Sequence, residues 1–433
     1  MRPAAQIQAA IELLEQIENE RRPADRLLSA YYRARRYIGS KDKAFISETI
    51  YDVLRQKGRL IWFAYEAGMP NMPRSWVIVS QLMNKQDIDE MFTGEEHAPE
   101  VLNEDEANAQ VLISRLIQTN AIDAAPDAVR LNIPDWLVPQ LLDSLGDDFE
   151  AEMKALQDRA DLCIRVNILK TNREDLQSIL QKSDITSTVT KHSPWGLTIA
   201  QKVAFNQLDA FKQGLFEVQD QGSQLIALAT NVKAGQKVVD FCAGAGGKSL
   251  AMAAQMDNKG VIHACDVHTK RLENLSRRKK RASVHNVQVH VLSSERDKWV
   301  KRQAGKMDVV LVDAPCSGTG TWRRSPDARW NLEPQNLEAL TVLQSSILTS
   351  AARLVKPGGK LIYATCSLLR SENEEQIQKF LDEFEDFEPA ALADQANFND
   401  LDIHQGFQLR TSPEKTGMDG FFVAVLQRQK SDS

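Results

Sequence analysis

From Lys237 onward, short β-prone runs alternate with helical ones, and this alternation constrains the fold more than any other feature of the chain. Strands are expected at Val238–Phe241, Val261–Cys265, Val287–Leu292, Val309–Val312 and Lys360–Ala364. Helical patterns fall between and after them at Ser249–Gln255, Lys270–Ala282, Asn336–Leu354 and Glu372–Phe384. A last β-prone segment runs from Gly420 to Leu426. Alternating units of this kind specify a parallel sheet with crossover helices, and such sheets collect ligands at the carboxyl ends of their strands.

The first of these units carries Cys242-Ala243-Gly244-Ala245-Gly246-Gly247-Lys248-Ser249 between strand and helix. A Gly-rich turn there brings backbone N–H groups and the positive end of a helix to a ligand. The P-loop reading fails because its first glycine would fall on Cys242. The dinucleotide reading fails because its third glycine would fall on Ser249. S-adenosylmethionine (SAM), which has no phosphate, fits the turn, and so does a turn that binds nothing. Asp266 ends the next strand, about twenty residues on, where an acid accepts hydrogen bonds from ribose hydroxyls. The alternative for Asp266 is a cap on the following helix.

Two cysteines fall at the ends of later strands, Cys316 in Asp313-Ala-Pro-Cys-Ser-Gly-Thr-Gly and Cys366 in Tyr363-Ala-Thr-Cys-Ser. Either alone reads as a small buried hydrophobe. Together, at adjacent strand ends beside a SAM-type turn, they read as chemistry. The five cysteines are odd in number and none forms a Cys-x-x-Cys pair, so neither a disulfide framework nor a metal site is expected. This cysteine usage points to a reducing cytoplasm, and no membrane span or signal-peptide pattern is visible.

At 433 residues the chain should hold more than one domain. Helical periodicity (Ile7, Ile11, Leu14, Ile17; Ile46, Ile50, Val53) suggests an all-helical domain over residues 1–120, with the acidic run Asp87 to Glu106 as a solvated loop. A helical lead-in and then period-two alternation at Leu162–Val166 suggest a small α+β unit within 121–230, leaving 231–433 for the α/β domain. The net charge of −6 argues against a generic nucleic-acid binder, but basic residues cluster locally. Arg271 to Arg281 reads as a phosphate-binding face or as a solvated helix. Arg323 and Arg324, just after the Cys316 motif, are the better candidates for RNA contact.

These motifs, with Arg165-Val-Asn-x-Leu-Lys and Asp419-Gly-Phe-Phe, resemble the Fmu/Sun family of RNA cytosine-5 methyltransferases, most of all its bacterial ribosomal-RNA branch. The resemblance covers roughly residues 160–427. It implies a Rossmann-like class I methyltransferase domain, a small RRM-like domain before it and a NusB-like RNA-binding extension at the N-terminus. It further implies Cys366 as the nucleophile that attacks cytosine C6, Cys316 as the residue needed for product release, and Asp313 at the base. SAM would lie against residues 242–248, Asp266 and Asp313. The family's usual Asp after the third strand is replaced here by Leu292-Ser-Ser-Glu-Arg, so Ser294 or Glu295 is expected in its place. Two alternatives remain open at this point. One is a transfer-RNA cytosine methyltransferase, and the other is a NusB-like assembly factor with a relic catalytic domain.

Overall fold

The computed structural model describes residues 1–392, 398, 401–404 and 406–430. Its chain forms two compact units, Met1–Asp158 with Trp322–Pro334, and Arg159–Thr321 with Gln335–Ser433.

The first unit is helical. Helices Pro3–Glu20, Ala24–Ala34, Ser40–Glu66, Pro73–Met83 and Glu104–Gln118 bury Ile7, Leu14 and Ile17 against Ile46, Ile50, Val53 and Phe63. Asn103 and Glu106 cap the fifth helix reciprocally, each side chain accepting from the other's backbone N–H at 2.9 and 3.1 Å. The acidic stretch before it departs from the expected solvated loop. It is irregular, but Ile88, Met91 and Phe92 are buried in the helical core. Three apolar side chains anchor a segment whose charges face water.

The expected boundaries at 120 and 230 are not those of the compact units, the first of which runs on to residue 158. Arg329, from the segment Trp322–Pro334, shows why. Its guanidinium donates to the carbonyls of Asn132 at 2.7 Å and Leu156 at 3.2 Å and lies 4.6 Å from the Trp322 ring centroid. Trp330 Nε1 donates to the Leu54 carbonyl at 2.8 Å, and Asp327 accepts from Ala24 N at 3.0 Å. Thirteen residues distant in sequence thus complete the helical unit.

The second unit holds two sheets. In the smaller, β1 (Leu162–Val166), β2 (Ser187–Val189), β3 (Gly196–Ile199) and β4 (Phe216–Val218) pair antiparallel in the order β2-β3-β1-β4. Leu176 and Leu180 of the helix Arg173–Gln181 pack on its Ile164, Val166, Leu197 and Phe216.

The larger sheet contains β5 (Lys237–Asp240), β6 (Val261–Asp266), β7 (Val287–Val291), β8 (Met307–Asp313), β9 (Val355–Thr365), β10 (Phe387–Pro389), β11 (Asp402–His404), β12 (Gln408–Thr411) and β13 (Phe421–Arg428). Its order among the described residues is β11-β12-β13-β9-β8-β5-β6-β7, with β10 on β13. The strands β5 to β9 run parallel, and β13 is antiparallel to β9. Successive residues alternate between two cores: Val238, Ile262 and Leu311 on one face, Val239, Val310 and Tyr363 on the other. Chain order reverses at β5, whose neighbours are β6 and β8, so a crevice opens at their carboxyl ends.

Candidate active site

Four parallel strands end at this crevice: β5 at Asp240, two residues before the Gly-rich turn, β6 at Asp266, β8 at Asp313 and β9 at Thr365, one before Cys366. A cavity of about 630 Å³ lies there, within the range of small-ligand sites. Residues 242–245, Gly247, Lys248, Asp266, Asp313, Cys316 and Cys366 line it. Gly246 stands just behind, with φ +79°, and a side chain there would clash with Leu275. Glycine is therefore required both by backbone conformation and by the closeness of the helix Thr269–Arg281.

The Gly-rich turn is held from outside by arginines. Arg165 Nη1 donates to the Gly247 carbonyl at 2.7 Å and to Gln219, and Arg278 Nη1 donates to the Ala245 carbonyl at 2.7 Å. Burial lowers the Arg165 guanidinium to about 10, against the pull of Glu217. Glu217 also pairs with Arg278 at 3.0 Å and with Arg281 at 2.6 Å. The basic helix Thr269–Arg281 is thus partly an internal clamp rather than a phosphate-binding face. Asn167, from the same Arg165-Val-Asn motif, donates to the carbonyls of Gly214 and Ala282, each at 2.9 Å.

Asp266 accepts from Gly244 N at 2.8 Å and from His268 N at 2.7 Å. It does not cap the following helix, whose N-cap is His268. Glu295 lines the cavity and Ser294 does not; the Ser294 hydroxyl accepts instead from Arg296 N at 3.1 Å. Of the two candidates named for the position after the third strand, only Glu295 therefore reaches the cavity wall.

At the other end, Lys248 Nζ meets Asp313 Oδ2 at 2.7 Å. Burial alone would lower the Lys248 ammonium, but Asp313, Asp240 and Cys366 together raise it above the ordinary lysine value. Asp240 is buried, hydrogen-bonded to Ser249 Oγ at 2.5 Å, and pushed up to about 7, mainly by burial. The Cys316 and Cys366 sulfurs lie 3.3 Å apart as free cysteines. The hydrogen bond with Cys366, then burial, pushes the Cys316 thiol well up, so Cys316 keeps its proton.

Sequence reasoning missed Glu372. It is fully buried and accepts from Ser317 N at 2.8 Å, from Gln344 Nε2 at 2.9 Å and from the Ser317 hydroxyl. Thr319 accepts from Leu368 N at 2.8 Å, and Gly320 N donates to the Cys366 carbonyl at 3.0 Å. These bonds lock the two cysteine loops together. The only sequence signal is an acidic group, Glu372, Glu374 and Glu375, soon after the Cys366 motif. Arg323 and Arg324 belong to the helical unit. Arg323 is buried, whereas Arg324 is exposed.

The carboxylates of Asp266, Glu295 and Asp313 in one wall disfavour a polyphosphate and suit hydroxyl and amino donors. Val267, Leu292 and Ile347 add an apolar portion. Adenosine with an amino-acid tail matches that donor set.

The family described as 16S rRNA methyltransferase RsmB/F matches residues 227–427, which supply nearly the whole cavity wall. A probable ribosomal RNA small subunit methyltransferase B of Bacillus subtilis is 31% identical over 342 residues, 73% of each chain. The chain belongs to the RsmB/F family. The RsmF/B-like ferredoxin-like domain matches residues 133–206, which include β1, β2 and β3. A probable enzyme of the same name from Synechocystis is 33% identical over 302 residues, 69% of this chain and 67% of that one. The crystal structure of a protein designated PH0851 superposes with a TM-score of 0.78 at 25% identity over 99% of each chain. As an RsmB/F member the chain is a SAM-dependent RNA methyltransferase. No described helix is long and apolar enough to cross a membrane.

Proposed function

We propose that this enzyme forms 5-methylcytosine in small-subunit ribosomal RNA in the cytoplasm, through a covalent Cys366–cytosine C6 adduct that Cys316 helps to resolve. The observation that carries the reading is the 3.3 Å approach of two free cysteine sulfurs on the wall of the cofactor cavity. Relatives named for small-subunit ribosomal RNA support the substrate.

SAM, held by residues 242–248, Asp266 and Glu295, supplies an electrophilic methyl group when bound. Cytosine C5 is too electron-poor to accept that methyl unaided. Cys366, adding to C6 as a thiolate, makes C5 enamine-like. Asp313 at the N3/N4 edge favours the charge that develops on the ring, and Lys248 fixes its carboxylate. Lys248 also places a positive charge near the sulfur that becomes anionic. Cys316 holds its proton at Sγ, 3.3 Å from the Cys366 sulfur, and would donate it to Cys366 once that sulfur is a thiolate. After transfer the C5 proton passes to solvent as the C6–S bond breaks and the C5–C6 double bond re-forms, and the Cys316 thiol stabilises the departing Cys366 thiolate. The target base must be unstacked to reach the pair.

The test is bisulfite mapping of total RNA from cells with and without this chain. Loss of one 5-methylcytosine in small-subunit ribosomal RNA is expected. Loss in transfer RNA instead would move the substrate.

A further inference from the structure

A second cavity, of about 680 Å³, lies against another face of the helix Pro334–Ala352, whose Leu343 and Ile347 line the cofactor cavity. Arg296, Lys301, Arg353 and Lys379 surround it, and no Asp or Glu lines it. Ser345 and Thr349 set hydroxyls between the cations. Arg296 pairs with Glu295 at 3.3 Å, while Lys301, Arg353 and Lys379 have no carboxylate partner among the described residues. In a chain of net charge −6, three uncompensated cations around one concave volume repel each other until an anion enters.

The RNA backbone carries one negative charge per phosphodiester and matches several cations spaced around one concave wall. The two cavities share a partition. Glu295 lines the cofactor cavity and accepts from the Ser346 hydroxyl at 2.9 Å, and Ser346 and Arg296 line the second.

We propose that this second cavity seats the phosphate backbone of the substrate RNA. The proposal rests on the RNA methyltransferase reading and adds to it a phosphate subsite made of Lys301, Arg353 and Lys379.

The test is the salt dependence of binding to a cytosine-containing single-stranded RNA oligonucleotide, followed by fluorescence anisotropy. The triple variant Lys301→Ala/Arg353→Ala/Lys379→Ala should flatten the slope of log K against log[salt] by about 2, at about 0.7 per phosphate contact. KM for RNA should rise while SAM affinity and kcat at saturating RNA hold. An unchanged slope overturns the subsite, as does a parallel loss of SAM affinity and melting temperature. The titration reads binding, so it decides the subsite whether or not methyl is transferred. Absence of transfer by the unaltered chain would sink the proposed function instead.

Discussion

Lys248 reaches from the first turn of the helix Gly247–Gln255 to Asp313 at the end of β8, a 2.7 Å ion pair across the mouth of the topological switch. The pair is partly screened, with side-chain exposures of 11% and 30%, so its worth lies in orienting a carboxylate more than in stability. Lys248→Met should lower the methyl-transfer rate by roughly 10²-fold, as for loss of a preorganised charge. Adding it to Asp313→Asn should cost little more than Asp313→Asn alone, because the two act as a unit. Strictly additive losses would mean that they do not cooperate.

Asp240 gives the enzyme a pH signature. Its folded pKa, about 7, lies above the ordinary 3.8, chiefly through burial, with the Ser249 hydrogen bond opposing. Between those values the folded chain binds a proton that the unfolded chain lacks, so this group's contribution to stability falls as pH rises from about 4 to 7. The full loss is on the order of 4 kcal/mol at 1.36 kcal/mol per unit. Asp240→Asn should therefore shrink the drop in thermal midpoint of the SAM-free protein between pH 5 and pH 8. An unchanged drop would place the titration elsewhere.

The parallel strands were legible because their residues are buried on both faces and read as continuous apolar runs, as at Val238–Val239 and Val309–Val312. The site was legible because four of the five runs lead into an acid or a cysteine, at Asp240, Asp266, Asp313 and Cys366. Long-range side-chain use was not. Nothing local in Arg165 says that its guanidinium will hold the Gly247 carbonyl, 82 residues away. Nor does Arg329 announce that it will join Asn132 and Leu156. β12 was missed because its four residues, Gln-Leu-Arg-Thr, are too short and polar to stand out, and only pairing to β13 defines it.

Asp266→Ala should weaken SAM binding by roughly 1.5–3 kcal/mol, the range for charge-assisted hydrogen bonds. It also releases Gly244 N from its 2.8 Å partner, so part of that loss comes from a looser turn. Calorimetry that finds unchanged affinity would remove Asp266 from the cofactor.

The arginine pair should separate. Exposed Arg324, changed to Ala, should flatten the salt dependence of RNA binding by about 0.7. Buried Arg323, changed to Ala, should instead lower the thermal midpoint of the helical unit and leave that slope alone. If both changes leave the slope intact, this segment does not meet phosphate.

The two cysteines should fail in opposite ways. Cys366→Ala removes the attacking sulfur, so methylation and covalent adducts should both vanish while SAM still binds. Cys316→Ala removes the thiol whose sulfur lies 3.3 Å from that of Cys366 but leaves the attacking sulfur in place. Cys366 should then still add, C5 should still be methylated, and the adduct should persist because its sulfur leaves poorly. The expected result is a protein–RNA species on denaturing gels that requires SAM and is absent from the double variant. Because Glu372 positions the Cys316 loop through Ser317, Glu372→Gln should give a weaker form of the same trapping. Adducts from Cys366→Ala instead would exchange the two roles. Loss of folding from both changes, with no adduct from either, would reduce the pair to packing.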